Sequence, residues 1–237
     1  MKILALDSSA TAASVALLED EFIIGEFYIH TKRTHSQTLL PMIDALLTNT
    51  SVSINEIDLF AVSNGPGSFT GIRIGVAAIK GMAMALKKPC AAVSTLWAMA
   101  AMHIDKDGMI CAVMDARCNQ VYNALFRISK GKIERMTEDR AILIDDLKNE
   151  LTNYQEIINL VGDGSVLCYN SFGSLLENVR LTPEQSRYQK AFGVGMVGLE
   201  KHRLGEIVSA KELLPSYLRL PQAERELKKR LSLKGVK

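Results

Sequence analysis

Two aspartates, Asp7 and Asp115, each follow a short apolar run and precede a turn of small and polar residues. Such runs indicate buried strands. An aspartate at a strand end can organise a metal ion, and glycines after it let backbone N–H groups approach a phosphate. DSSATAAS, residues 7 to 14, contains no glycine. We therefore favour a structural turn that caps its own backbone, and keep a weak nucleotide site at Asp7, Ser8 and Ser9 as the alternative.

Two glycine-containing stretches lack the residues of known phosphate and nucleophile motifs. GPGSFTG, residues 65 to 71, has no lysine in Walker A register, and Pro66 and Thr70 stand where a nucleophile elbow around Ser68 needs glycines. It is typical of a strand–loop–helix joint whose helix is capped by Ser68 or Thr70 and whose N-terminus has room for an anion. VGDGS, residues 161 to 165, is a common Asp-Gly turn, with a phosphate-facing turn as the alternative.

The histidines and cysteines do not have the spacing of metal ligands. The sequence contains no HxxxH, HExxH or CxxC pattern, so no metal site is expected. His35 followed by Ser36 is foremost a helix-start signal. The four scattered cysteines imply no disulfide framework, and a reducing cytoplasm is the expected location.

The charge is nearly balanced over the 237 residues, with a formal net charge of +2. No global field therefore attracts the chain to nucleic acid or membrane. From Arg219 to Lys237, however, seven basic residues face two glutamates. We favour a solvated helix there, with contact to an RNA backbone as the alternative. The longest apolar stretch, 74 to 86, is interrupted by Lys80 and falls short of the ~20 residues that span a bilayer.

The same order of elements occurs twice. KILALDSS, SVALLE and FIIGEFYIH predict three strands, and MICAVMD, VYNALFRI and IERMTE predict three more from residue 109 onwards. We interpret this order as a duplication and predict an actin-like, two-lobed α/β fold, which usually closes on a nucleotide. The predicted units are an N-terminal lobe (1–100), a C-terminal lobe (101–220) and a basic tail (221–237).

Two predicted helices in the first lobe are more apolar than a surface helix needs. One lies in THSQTLLPMIDALLTNT and starts near residues 36 to 38, so that Pro41 is near its first turn. The other, GIRIGVAAIKGMAMALKK, has a single polar stripe at Arg73, Lys80 and Lys87. A helix that is apolar nearly all round is covered on more than one side. Either it is fully internal, or both helices form half of a four-helix bundle with another chain or a second copy.

Several stretches together resemble the bacterial TsaB (YeaZ) family of the tRNA threonylcarbamoyladenosine machinery. They are ILALDSSATAASVAL, THSQTLLPMIDALL, IDLFAVSNGPGSFTGIRIGVAAIKGMA, VSTL, AVMDARCNQVY, VGDGS and LLPSYLR, in order over residues 3 to 219. The resemblance implies the actin-like fold shared with the catalytic sister, TsaD. TsaD binds metal and nucleotide and transfers threonylcarbamoyl to the adenosine 3′ of the anticodon in tRNAs that read codons beginning with A.

The resemblance also implies a cytoplasmic, non-catalytic scaffold subunit that pairs with TsaD through the first two helices. A TsaE-like ATPase would bind the pair, the chain alone would form a homodimer, and tRNA would be contacted indirectly. TsaD holds its metal with HxxxH, whereas the second position is Leu39 here. No cofactor is expected on this chain, with ATP and Mg²⁺ held by the partner. The predicted interface residues are His35, Leu39, Met42, Ile43, Leu46, Phe69, Ile72, Arg73, Val76, Ile79 and Lys80.

Two other functions compete with this one. Asp7 and Asp115 in repeated hairpins would suit an ATP-dependent kinase or ATPase of the actin-like fold. A peptidase is a weaker hypothesis, because the chain lacks the HxxxH, HExxH and GxSxG patterns that such chemistry uses.

Overall fold

Strands and helices follow one another in an order that repeats. The structure, a computed structural model, describes residues 1–31 and 33–219, and the tail predicted at 221–237 lies outside them. The strands are β1 (Lys2–Asp7), β2 (Ala13–Glu19), β3 (Phe22–Ile29), β4 (Leu59–Gly65), β5 (Cys90–Ser94), β6 (Gly108–Asp115), β7 (Gln120–Ser129), β8 (Lys132–Arg135), β9 (Arg140–Leu143), β10 (Ile158–Val161) and β11 (Val179–Leu181). The helices are α1 (His35–Thr50), α2 (Phe69–Leu86), α3 (Thr95–Ala101), α4 (Ile144–Leu151), α5 (Ser165–Cys168), α6 (Glu184–Arg187) and α7 (Ala191–Arg203).

Each half of the chain forms one mixed sheet, and the two sheets share one topology. The strand order is β3-β2-β1-β4-β5 in the first and β8-β7-β6-β10-β11 in the second, where β9 also pairs with β7. In both sheets the first three strands are antiparallel and the last two run parallel to the first. Parallel neighbours need a crossover, which helices provide in each half. The predicted duplication and two-lobed α/β fold are confirmed.

The last helix of each half packs partly against the other half. Leu96 and Met99 of α3 lie in a core cluster with β6 and β7 of the second sheet. Val194 and Val197 of α7 pack against the first sheet. In space, the second lobe therefore ends near residue 190, and the predicted boundary at 220 is wrong. The sequence order does not reveal this boundary because α7 returns to the lobe that the chain built first.

The first sheet is buried on both faces. Side chains alternate along β1, so Leu4 and Leu6 contact the layer of α1 and α2, and Ile3 and Ala5 contact the layer of α7. The helix α7 lies close to the sheet because its glycines leave room. A Cβ on Gly198 would lie 2.8 Å from the Cβ of Ala61.

The helices α1 and α2 begin and end with local signals. The helix α1 starts at His35, so Pro41 lies in its second turn and not near the first as expected. Ser68 caps α2, its Oγ accepting a hydrogen bond from the Gly71 N–H at 3.3 Å. Among the described helices, α2 is the one whose length and apolar composition would suffice to cross a membrane. Core helices pass the same test, and α2 buries six residues within its own lobe.

The segment 207–219, here the C-terminal segment, covers part of α2. Ala210 and Leu213 join the core of the first lobe. The Lys80 ammonium donates hydrogen bonds to the carbonyl oxygens of Lys211 and Leu213 at 3.0 and 3.2 Å. The C-terminal segment of this same chain therefore covers a second face of α2. This covering agrees in part with the alternative that α2 is a fully internal helix.

Candidate functional site

The turn after β1 is closed by its own hydrogen bonds. The Asp7 carboxylate is buried. Its Oδ1 accepts from the Ser9 N–H at 2.9 Å and the Ser9 hydroxyl at 2.7 Å, while Oδ2 accepts from the Ser63 hydroxyl. The Ser8 hydroxyl donates to the Gly71 carbonyl at 2.9 Å. These contacts match a self-capped turn, and the weak nucleotide site at Asp7, Ser8 and Ser9 stays a prediction.

The GPGSFTG joint presses against this turn. The Ser68 N–H donates to the Ser9 carbonyl at 2.7 Å. A Cβ on Gly67 would lie 2.4 Å from that same oxygen, and one on Gly71 would lie 2.1 Å from the Ser8 carbonyl oxygen. Real Cβ atoms do not approach so closely, so both positions require glycine. The predicted strand–loop–helix joint and its Ser68 cap are confirmed, and the glycines serve close packing.

His35, at the start of α1, is fixed to the same turn. Its Nε2 lies 2.8 Å from the Ala10 carbonyl oxygen, an acceptor that requires a proton on this nitrogen. The position four residues on, Leu39, is buried in the core. Within residues 1–31 and 33–219, no group of three or more metal-ligating side chains comes together. His35 therefore fastens α1 to the turn after β1.

Between the lobes lies a cleft of about 640 Å³. The turns after β1 and β6 line it from opposite lobes, together with the GPGSFTG joint and the end of the C-terminal segment. Asp115 and Asp163 supply its acidic groups, and Arg33, Arg117 and Arg219 its guanidinium groups. The Arg219 Nη1 donates to the carbonyl oxygen of Ala116 at 2.6 Å, so this segment ties the two lobes together.

Asp163 is an acidic group of the cleft whose pKa is raised toward neutrality. Its side chain is open to the cleft, yet the surrounding protein removes much of its hydration. This desolvation raises the pKa of Asp163 to about 6. The Gln189 amide, which donates to its Oδ1 at 3.2 Å, opposes the shift, and the Asp115 carboxylate adds to it.

Sequence reasoning treated VGDGS as a plain turn and missed Asp163. The duplication contained the signal, because β10 occupies the place in its sheet that β4 occupies in the first. GDGS after β10 therefore corresponds to GPGS after β4, and Asp163 stands where the first half has Pro66. Both joints lead into a helix at the cleft.

The turn after β6 is open where the turn after β1 is closed. Arg117, Cys118 and Asn119 are successive non-glycine residues in the left-handed region, with φ of 65°, 54° and 57°. The Asp115 Oδ1 accepts from the Arg117 N–H at 2.7 Å, and the Arg117 side chain is 84% exposed. Left-handed backbone costs about 1–2 kcal/mol for each such residue. The second half therefore presents a strained, exposed turn to the cleft.

The cysteines of the described residues are all free thiols. Burial raises the pKa of Cys90 to about 11 and that of Cys168 to about 12. The pKa of Cys111 is also raised, chiefly by its burial. Only the thiolate is nucleophilic, so these three are inert core side chains. Cys118 is exposed in the turn after β6.

Most of the predicted interface residues do not face outwards. Seven of them lie in the core of the first lobe, between the helices and their own sheet: Leu39, Met42, Ile43, Leu46, Ile72, Val76 and Ile79. Their assignment to a partner surface is therefore wrong. The pattern of two apolar helices does not show which side meets the sheet, and the prediction chose the inner side.

The remaining predicted interface residues are engaged within the chain. The Arg73 Nε donates to the Tyr217 hydroxyl at 2.7 Å, and its guanidinium lies 3.8 Å from the centre of the Phe69 ring. Phe69 and Tyr217 stack at 4.7 Å. Together with Lys80, Phe69 and Arg73 hold the C-terminal segment, while His35 holds the turn after β1.

The outer sides of α1 and α2 present a different set of residues. We define the outer face as Leu40, Pro41, Asp44, Ala77, Gly81, Met84 and Ala85, all of them exposed. Leu40 and Met84 are each 56% exposed, which is high for large apolar side chains. A Cβ on Gly81 would meet no atom within 4 Å. Apart from the Asp44 carboxylate, this face is apolar and small-featured, and it is left exposed by residues 1–31 and 33–219.

The topology and the interlobe cleft define an actin-like, two-lobed α/β protein. The family model described as TsaD: tRNA N6-adenosine threonylcarbamoyltransferase matches residues 25–192. The tRNA threonylcarbamoyladenosine biosynthesis protein TsaB of Bacillus subtilis (strain 168) is 30% identical over 225 residues, which are 94% of this chain and 96% of that protein. The chain belongs to the TsaB family.

Solved structures agree with this assignment. A crystal structure from Pseudomonas aeruginosa, of a protein described as similar to the peptidase YeaZ, aligns with a TM-score of 0.78 and 28% identity over 92% of this chain and 99% of that one. The ethanolamine utilization protein EutJ from Carboxydothermus hydrogenoformans aligns with a TM-score of 0.51 and 12% identity over 84% of this chain and 90% of its own. This second likeness concerns the fold alone.

Proposed function

We propose that this chain is a non-catalytic subunit in tRNA threonylcarbamoyladenosine biosynthesis that docks a TsaD-type transferase. Membership of the TsaB family supports the pathway. Asp7, Ser8 and His35 are engaged in hydrogen bonds within the chain, and this favours a non-catalytic role. ATP and Mg²⁺ would be held by the partner, and the assembly would work in the cytoplasm.

The outer face of α1 and α2 is the observation that carries the docking proposal. Apolar side chains such as Leu40 and Met84 gain about 25 cal/mol for each Å² of apolar surface removed from water. Small residues at Ala77, Gly81 and Ala85 let another helix approach closely. Contiguous exposed apolar patches on folded proteins commonly mark interaction sites.

A partner of the same fold suits this face. A TsaD-type protein would present its own first two helices, and four helices would then pack as a bundle around a shared apolar seam. A second copy of this chain would use the same residues in an isologous contact. Homodimer and heterodimer would therefore exclude each other. A TsaE-type ATPase would bind the assembled pair, and tRNA would be reached through the complex.

Light scattering on a sizing column tests this proposal. The chain alone is expected to give a homodimer that converts to a 1:1 complex when the TsaD-type protein of the same organism is added. Met84→Glu should abolish both species, because a carboxylate would be buried without a partner. Leu175→Glu is the matched control, since Leu175 is 61% exposed outside this face.

The control variant should assemble as the unchanged chain does. If Met84→Glu and Leu175→Glu assemble equally well, the outer face is not the docking site. If the unchanged chain and the TsaD-type protein elute separately, the pairing itself is refuted.

A further inference from the structure

One carboxylate interrupts the apolar outer face of α1 and α2. Asp44 is exposed in the middle of α1, with Leu40 one turn before it and Thr48 one turn after it. The helix α1 contains no lysine or arginine. In residues 1–31 and 33–219, no side chain forms an ion pair with Asp44. A docked partner would therefore cover a charge that the described part of this chain does not neutralise.

An open groove lies beside Asp44. It has a volume of about 480 Å³ and runs between the second half of α1 and residues 51–54. Asp44 is the charged residue among those that line it. The groove is continuous with the outer face, because Leu40 belongs to both. The apolar side chains of its lining are Leu40, Ile43, Leu47, Val52 and Ile54.

A long basic side chain matches an apolar groove with one carboxylate. The methylene stems of arginine and lysine cover apolar surface while their cationic heads stay at its edge. An arginine fork also pairs with a carboxylate through two parallel hydrogen bonds. A carboxylate that is removed from water without a partner costs free energy, so docking over Asp44 is unfavourable unless the other chain brings a cation. The occupant of the groove should therefore carry a positive charge.

A second copy of this chain fits the groove poorly. Its outer face has seven residues, of which Asp44 is the charged one. Asp44 is the tenth of the sixteen residues of α1, so it lies near the middle of the face. Residues near a two-fold axis through that face meet their own copies. A homodimer would therefore bring two Asp44 carboxylates towards each other, and like charges across an interface oppose association.

We propose that the groove beside Asp44 receives an arginine or lysine side chain of the TsaD-type partner, and that this contact favours the heterocomplex over the homodimer. The choice of this partner rests on the proposed function. Asp44 would pair with the cationic head, and the groove would hold the aliphatic stem. The chain would then distinguish its partner from its own copy at a surface that both use.

The test compares four variants of the full chain, each checked for folding by circular dichroism melting curves. Asp44→Asn removes the charge and keeps the shape. Its control is Glu200→Gln, since Glu200 is exposed on α7, which packs on the opposite face of the first sheet. Thr48→Arg places a cation one turn after Asp44, where it pairs with the carboxylate and fills the groove. Asn49→Arg is its control, because Asn49 is exposed and does not line the groove.

Isothermal titration calorimetry with the TsaD-type protein measures the heterocomplex, and sedimentation equilibrium measures the homodimer. Asp44→Asn and Thr48→Arg should each weaken the heterocomplex about 10-fold or more, whereas both controls should match the unchanged chain. The homodimer of Asp44→Asn should be as tight as that of the unchanged chain or tighter, because a like-charge contact is removed. In a double-mutant cycle, replacing the receiving arginine or lysine of the partner by alanine should cause little further loss once Asp44 is replaced.

Equal heterocomplex affinity for Asp44→Asn and Glu200→Gln would overturn the proposal. Equal weakening of the homodimer and the heterocomplex by Asp44→Asn would also overturn it, because a second copy would then supply the cation as well, for example through the exposed Lys87. If Asp44→Asn has no effect while Met84→Glu abolishes the complex, the groove contact alone is wrong and the docking proposal stands. If the unchanged chain does not bind the TsaD-type protein, both proposals are refuted.

Discussion

The two halves share one topology but treat their first turn in opposite ways. After β1, Asp7 is buried and accepts three hydrogen bonds from serines of its own lobe. After β6, Asp115 lies beside a left-handed run and is partly exposed, with the Arg117 guanidinium, itself 84% exposed, 3.4 Å from its Oδ2. The same strand–Asp–turn pattern therefore gives a sealed turn in one lobe and an open one in the other. An aspartate at a strand end is thus no sufficient sign of a working site.

The two halves also differ at the joints that follow β4 and β10. GPGS leads into α2, which has 18 residues, whereas GDGS leads into α5, which has four and continues as a π-helix of five residues (Tyr169–Gly173). The helix before the joint likewise has 16 residues in the first half and eight in the second. The first lobe has long helices with an outer face, and the second has an accessible acid, Asp163. The two halves therefore share one topology but expose different groups.

Glycine substitutions in α2 should give the largest effect. Gly71→Ala places a Cβ within 2.1 Å of the Ser8 carbonyl oxygen, so the joint must separate from the first turn. We expect a loss of about 3 kcal/mol or more in the free energy of unfolding, measured by urea titration. Gly81→Ala, in the same helix but with open space around it, should instead stabilise by about 0.5–1 kcal/mol. Equal effects would show that close packing at the joint is unimportant.

The sealed turn predicts a smaller but clear loss for Asp7→Asn. An amide offers one acceptor oxygen and places a donor group where the second oxygen accepted from a hydroxyl. The Ser63 hydroxyl would have to reverse and accept from the amide, and all three contacts would lose the strength that a charged acceptor gives, so we expect a cost of about 1–3 kcal/mol. Urea titration at pH 7.5 measures the loss, and Ser9→Ala should give part of it. A neutral outcome for Asp7→Asn would mean that the turn does not depend on its hydrogen bonds.

Replacing Asp163 should not destabilise the protein at neutral pH, in contrast to replacing Asp7. Its folded pKa of about 6 lies above the roughly 3.9 of an unfolded chain, so the folded state holds the proton more tightly. Stability should therefore fall as pH rises from about 4 through the folded pKa of about 6, and it should level off roughly one pH unit above that pKa. Solvent in the cleft screens the effect, so we expect about 1 kcal/mol or less. Asp163→Asn should flatten this part of the curve and be neutral to stabilising at pH 7.5.

Melting curves at closely spaced pH values provide the measurement. Asp145→Asn, on the exposed first turn of α4, is the matched control and should leave the slope between pH 4 and 6 unchanged. If the slope is the same for Asp163→Asn and for the unchanged chain, Asp163 is not the titrating group in the cleft.

Many of the strands and the helix cap could be predicted from the sequence because their signals are local. Alternation of apolar residues along the strands and the Ser68 cap depend on neighbours in sequence, so the meanders and the joint were predicted correctly. The outer face could not be predicted in this way. A helix apolar on several sides fits its sheet in more than one rotation, and only packing decides that Leu39 faces inwards and Leu40 outwards.

Contacts between distant segments account for the other errors. Nothing near Arg73 or Lys80 in sequence shows that residues 211–217 return to cover them. The return of α7 to the first sheet is hidden for the same reason. Asp163 differs from these cases, because aligning GPGS with GDGS through the repeat would have placed it at the cleft from sequence alone.

The smallest expected effect is the change in melting temperature when Mg-ATP is added. If the first turn is sealed as the Asp7 contacts indicate, Mg-ATP at 1 mM should change the melting temperature of the isolated chain by less than about 1 °C. A ligand present at 100 times its dissociation constant would add about 2.7 kcal/mol, which shifts a protein of this size by roughly 5–10 °C. If Asp7→Asn abolishes a shift of that size, the turn after β1 must open to bind nucleotide. That result would favour the kinase or ATPase function over the docking function. A shift that only Asp163→Asn abolishes would place the nucleotide in the second half, where the turn is already open.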